Sequence, residues 1–168
     1  MTLSLHGASA PVLVSMLTNL SGFIAKAEAT ASERKFDVAS LLGARLAPDM
    51  ANFTRQVQMT CDHAKFTLAR LGSVDAPSFP DTEVTVAELQ ERIAKTIAFM
   101  KGVPAVNVDA SADRMIAFKA GPMDLSFSGA DYLHRWALPN FYFHFTTAYA
   151  ILRHNGVVLG KMDFLKGN

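Results

Sequence analysis

Four long stretches of the chain repeat apolar residues at three- and four-residue intervals, the spacing of a helix that buries one face. In the first, Pro11 suits an opening turn, and Leu13, Met16, Leu17, Leu20, Phe23, Ile24 and Ala27 form the stripe. Asp37 is placed to cap a short helix over Val38 to Leu46, which stops before Pro48. Pro48 then opens a second long helix carrying Met50, Phe53, Val57, Cys61, Ala64, Leu68 and Leu71, with Gly72 as its stop. Ser73 to Asp81, with two prolines, reads as a loop. Thr85 and Glu88 have the spacing of a capping box between the staple residues Val84 and Leu89. They start a third long helix with Leu89, Ile93, Ile97 and Met100, ended by Gly102.

The period changes between Val103 and Ser128. Ile116 and Phe118, then Leu125 and Phe127, alternate about Gly121-Pro122, which predicts a small hairpin. Ser128 and Asp131 mark the start of a last helical region that runs to Arg153 and stops at Asn155-Gly156. Pro139 is expected to break or kink it. Beyond Pro139 the helix is apolar nearly all round, through Phe141, Tyr142, Phe143, Phe145, Tyr149, Ile151 and Leu152, so it belongs in the bundle centre or at a subunit interface. The pattern is that of an all-α chain, an antiparallel four-helix bundle with a hairpin in the connection before its last helix, in one domain over residues 1–168.

Composition narrows the function classes. Half of the residues are hydrophobic and 18% are charged, enough for a packed core. Lys+Arg 16 against Asp+Glu 15 leaves a net charge of +1 and no basic cluster, so nucleic acid is not an expected partner. One cysteine, Cys61, cannot form an internal disulfide, and a reducing cytoplasm is expected. Leu13 to Ala27 lacks the preceding positive charge of a signal peptide, and no run of some 20 consecutive apolar residues reads as a membrane span.

The chemistry-bearing residues are few. Asn140, His144, Thr147 and Ile151 share one face of the last helix. His63 lies beside the core stripe of the second long helix, next to Asp62. If those two helices face each other, His63, Asn140 and His144 converge, and imidazole is both a common metal ligand and a base near neutral pH. The alternative is a buried His144 bonded to Asn140 or Thr147, with Asp62 and His63 facing solvent. Two histidines and an amide are an incomplete set for zinc, which weighs toward that alternative. Cys61 sits on the core stripe, where a small buried residue is a better reading than a nucleophile. Gly156 to Lys161 has the wrong spacing for a phosphate loop, and no serine lies in a nucleophile elbow.

The segments RLAPDMANFTRQVQMTCDHAK (Arg45 to Lys65) and LPNFYFHFTTAYAILRHNGVVLGKMDFL (Leu138 to Leu165) resemble a bacterial family of unknown function within the DinB/YfiT-like superfamily of proposed metalloenzymes. The resemblance runs nearly the whole chain and implies a four-helix bundle that often forms homodimers. It also implies a divalent metal, zinc or nickel, held by one histidine of the second long helix and a His-x-x-x-His pair of the last, serving thiol-dependent transfer or isomerisation in some members. On this chain His63 matches the first ligand, while Asn140 and His144 stand where the pair should be. Asparagine replaces the pair's first histidine, and its carbonyl is a weak ligand for such metals. Two functions follow as expectations: a divalent-metal-dependent enzyme with a degenerate site, or a non-catalytic dimeric protein that binds a small molecule or serves a structural role.

Overall fold

The computed structural model describes residues 4–166. Each long helix outside the last region starts where a side chain takes up free amides of the first turn. α1 (Leu5–Glu33) begins behind Ser4, whose hydroxyl accepts from the Gly7 amide at 3.0 Å. After the short α2 (Ala39–Leu42), α3 (Phe53–Gly72) begins behind Asn52, whose side-chain oxygen accepts from Arg55 N at 3.0 Å. α4 (Val86–Gly102) carries the expected reciprocal Thr85 and Glu88 capping box.

Three boundaries differ from the sequence expectation, and for α1 and α3 the reason is a better cap. α1 starts ahead of Pro11 and holds that proline inside it. Ser4 caps the added turn, Asp109 Oδ1 accepts from His6 N at 2.8 Å, and Ser9 Oγ donates to the Leu5 carbonyl at 2.6 Å. α2 is shorter than Val38 to Leu46, although Asp37 does accept from Ala39 N. α3 waits for Asn52 instead of opening at Pro48, and the left-handed residue after it is Ser73, at φ 52, not a glycine.

A brief α5 (Ala105–Asp109), absent from the sequence reading, leads to β1 (Met115–Ala120) and β2 (Met123–Ser128). The strands pair antiparallel with Ile116 opposite Phe127 and Phe118 opposite Leu125, the register that alternation implied. Gly121, at φ +57, makes the tight turn possible. The last helical region follows as α6 (Gly129–Asp131), a π-helical segment (Tyr132–Ala137) and α7 (Leu138–His154), with Ser128 capping its start. Pro139 was expected to break or kink this run, yet the three segments follow one another without interruption. The wide turn, in which Leu138 N reaches back five residues to the Leu133 carbonyl, absorbs the missing proline donor.

α1, α3, α4 and α7 form the bundle, with α1 and α3 each packed against both α4 and α7. Leu13, Leu17, Leu20 and Ile24 of α1 meet Val57, Cys61 and Leu68 of α3, Leu89 of α4, and Phe141, Phe145 and Ile151 of α7; all are fully buried. The aromatic helix thus buries Phe141, Phe145 and Ile151 within the bundle and leaves Phe143 exposed, at 59%. Among the described residues α1 alone is long and apolar enough to cross a membrane by length and composition, and half of that window is buried inside the bundle. α8 (Lys161–Leu165) docks back on α1. Asn19 Nδ2 donates to the Phe164 carbonyl at 2.9 Å, Lys26 pairs with Asp163, and Phe164 packs edge-on against Phe145.

The α3 terminus gives a sharp stability test. A Cβ on Gly72 would lie 2.4 Å from Val103 Cγ1. Replacing a helical glycine by alanine ordinarily stabilises by up to about 1 kcal/mol. Here Gly72→Ala is expected to destabilise by about 1–3 kcal/mol through overpacking. Urea unfolding of Gly72→Ala, alone and with Val103→Ala, checks this: the second change should restore part of the loss.

Candidate functional site

Beside the apolar stripe of α3 runs a polar row, Gln56, Thr60, His63 and Thr67, and α7 presents Asn140, His144 and Thr147 toward it. The three threonines spend their hydroxyls on their own helices, donating to the carbonyls of Gln56, His63 and Phe143 at 2.6–2.7 Å. That leaves an amide on α3, an amide on α7 and two imidazoles.

His63 and His144, whose convergence is the less favoured reading of the sequence, come together with ring centroids 5.2 Å apart and planes within 15° of parallel. Gln56, only 2% exposed, links the helices by accepting from His144 Nδ1 through Oε1 at 2.9 Å. The roles follow from Gln56 itself: its Nε2 donates to the Ala51 carbonyl at 3.2 Å, so its oxygen faces the ring. His144 therefore carries its proton on Nδ1 and presents a bare Nε2. Sequence reasoning missed Gln56. The signal that could have found it is its place one helical turn before Thr60 and two before His63 on a row that borders the core.

Both imidazoles are held neutral. Burial, then the neighbouring His144, then Arg70 bring the His63 pKa from its ordinary 6.5 down to about 4. Burial and then Arg55 lower that of His144.

The remaining candidates are committed elsewhere. Asn140 Nδ2 donates to the Trp136 carbonyl at 2.7 Å, which ties the amide to the π segment and leaves Oδ1 as its one possible metal-binding atom. Asp62 neither joins the histidines nor faces water freely: its Oδ1 pairs with Lys65 at 2.9 Å and with Arg92 at 3.0 Å. Cys61 is fully buried, and burial pushes its thiol up to about 12, so it is inert core. No group of three or more histidine, cysteine, aspartate or glutamate side chains that could hold a metal ion exists among the described residues. The donors thus fit a divalent metal in part only, as two neutral imidazoles and one amide oxygen, with Arg55 and Arg70 adding positive charge nearby.

A second cluster supports this region from behind. Arg92, 1% exposed, pairs with Asp62, Asp81 and Glu83 at 2.8–3.0 Å, and donates to the Pro80 carbonyl at 3.2 Å. Arg55 pairs with Asp81 as well. The 73–81 loop is thereby fastened to α3 and α4 just beside the histidines.

A family model described as a domain of unknown function, DUF1993, matches residues 5–165. The chain belongs to the DUF1993 family. It is also similar to the crystal structure of a DinB family member protein from Shewanella denitrificans, solved at 1.83 Å resolution. The two are 41% identical over 95% of this chain and 90% of that one, with a TM-score of 0.87. No curated protein matches. The bundle of this DUF1993 chain, its hairpin and its place among DinB-like proteins thus agree with the family resemblance read from Arg45 to Lys65 and Leu138 to Leu165.

Two outcomes follow for this site. The folded-state pKa values of His63 and His144 lie below 6.5, so between the two states the unfolded chain binds more protons in that window. Stability should fall as pH drops from 6.5 toward about 4 and gain no further loss from His63 below that. Urea midpoints measured across this range should flatten in His63→Gln. Arg92→Leu removes the one cation shared by Asp62, Asp81 and Glu83 and is expected to cost about 3–5 kcal/mol; limited proteolysis should then cut within residues 73–81.

Proposed function

We propose that the His63 and His144 pair is the working centre of a small-molecule site in this DinB-like protein, with His144 Nε2 as the acceptor for a ligand O–H, N–H or S–H group. The hydrogen bond from His144 Nδ1 to Gln56 carries the reading, because it fixes the tautomer and aims the free lone pair without any metal. The low pKa of His63 supports it: an imidazole that stays neutral accepts hydrogen bonds at any pH near 7. The reading assigns binding and orientation to these residues, and no turnover.

One observation favours a second reading, a divalent-metal site of degenerate DinB type. Two imidazoles that ligate one tetrahedral zinc at ~2.0–2.1 Å place their ring centroids roughly 5 Å apart, and here the distance is 5.2 Å. In that reading His63, His144 and the Oδ1 of Asn140 would hold the metal. Such a metal, zinc or nickel, supplies Lewis-acid activation of a bound oxygen or thiol.

Metal content separates the two. The protein, purified without chelator and again after loading with zinc, nickel or manganese, is compared by mass spectrometry with His63→Ala and His144→Ala chains shown to be folded. No bound metal is the expected result. Stoichiometric metal in the wild type, lost in both variants, would overturn the metal-free reading in favour of the second.

A further inference from the structure

A surface pocket of about 220 Å³, with His63 in its lining, opens between the hairpin and α3. Phe66, Phe118 and Trp136 wall it, and Arg55, Arg70 and Lys119 bring positive charge to it, with Asp62 as its acid. Most of these charges are already matched. Arg55 pairs with Asp81, and Asp62 with Lys65 and Arg92. Lys119 makes a loose pair with Asp124 at 3.7 Å, both about 80% exposed. Arg70 has no carboxylate partner among the described residues. Its guanidinium lies 4.0 Å from the Phe118 ring centroid and 5.0 Å from that of Phe66, and one of its five N–H groups is spent, on the Tyr132 hydroxyl at 3.2 Å.

A guanidinium held against aromatic rings keeps its charge and loses little freedom when it binds, which suits a two-oxygen anion. The rings beside it suit a flat apolar body. The carboxylate of Asp62 disfavours a dianion at the same place. We propose that this pocket binds a small aromatic monocarboxylate, its carboxylate on Arg70 and its ring against Phe118 and Trp136. The hairpin then has a role, since Phe118 and Lys119 supply one whole side of the pocket.

This inference rests on the small-molecule reading above and names the class of ligand. Trp136 is the chain's only tryptophan, so its fluorescence reports on the pocket directly. Benzoate is the probe, and benzamide its neutral counterpart. Benzoate should give a saturable change and bind about tenfold or more tightly than benzamide, the size of a charge-assisted bond. Arg70→Met should lose that advantage and leave benzamide unchanged. Lys119→Glu, at a position too exposed to affect folding, should weaken benzoate about threefold or more. No saturable response, equal binding of the two probes, or unchanged benzoate affinity in Arg70→Met or Lys119→Glu would overturn the proposal. His144→Ala removes the acceptor of the earlier reading but no wall of this pocket, and should still bind benzoate. Benzoate lost in His144→Ala and kept in Arg70→Met would overturn the pocket and, because a carboxylate offers no hydrogen to a bare Nε2, would also contradict the acceptor role given to His144.

Discussion

The widened helical turn over Tyr132 to Ala137 decides which side chains of the last helix meet α3. Pro139 can offer no amide to the turn before it, and an ordinary α-helix there would leave a carbonyl without a donor and crowd the ring. A π turn accommodates both problems and turns everything downstream relative to everything upstream. Phe141 and Phe145 then enter the core, and His144 reaches across to Gln56 and His63. Within the same turn, Tyr132 receives Arg70, and Trp136 faces the hairpin. Both halves of the candidate site are therefore set by one local departure from α-helical geometry.

The rest of the region is held by charge. Arg92 is too deeply buried to be tolerated alone, and three carboxylates from α3 and the 73–85 segment converge on it. Burial alone would raise the Glu83 carboxyl, yet the hydrogen bonds from Arg92 and Gln58 keep it below its ordinary value. Such an arrangement draws the acids away from the histidines and toward the bundle interior. What remains at the site is two neutral rings and two arginine heads, an environment that favours an anion or a hydrogen-bond donor over a dication.

The bundle was legible because its signals repeat. Leu13 to Ala27, Val57 to Leu71 and Leu89 to Met100 each show one helical stripe, and Thr85 with Glu88 marks a start that the structure reproduces atom for atom. Alternation also carried the hairpin and its register. The meeting of His63 with His144 followed from helical phase only if the two helices faced each other, and the sequence weighed toward His63 in solvent instead. Less local features were hidden. Pro48 competed with Asn52 as a helix start, and the better hydrogen-bonding cap won. The π turn leaves no periodic trace that distinguishes it from a proline kink. Arg92, which holds Asp62, lies 30 residues away on α4, and Phe118 meets Arg70 only after the hairpin folds back, so neither contact follows from spacing.

The protonation of the His144 ring is the most direct point of contact between this account and experiment. Long-range proton–nitrogen NMR of the folded protein at neutral pH resolves the two ring nitrogens of each histidine. The expected spectrum shows His144 neutral, with a protonated Nδ1 and a bare Nε2, and shows Nδ1 changing in Gln56→Leu. A His144 ring protonated on Nε2, or charged at neutral pH, would contradict the hydrogen-bond arrangement from which the function is drawn.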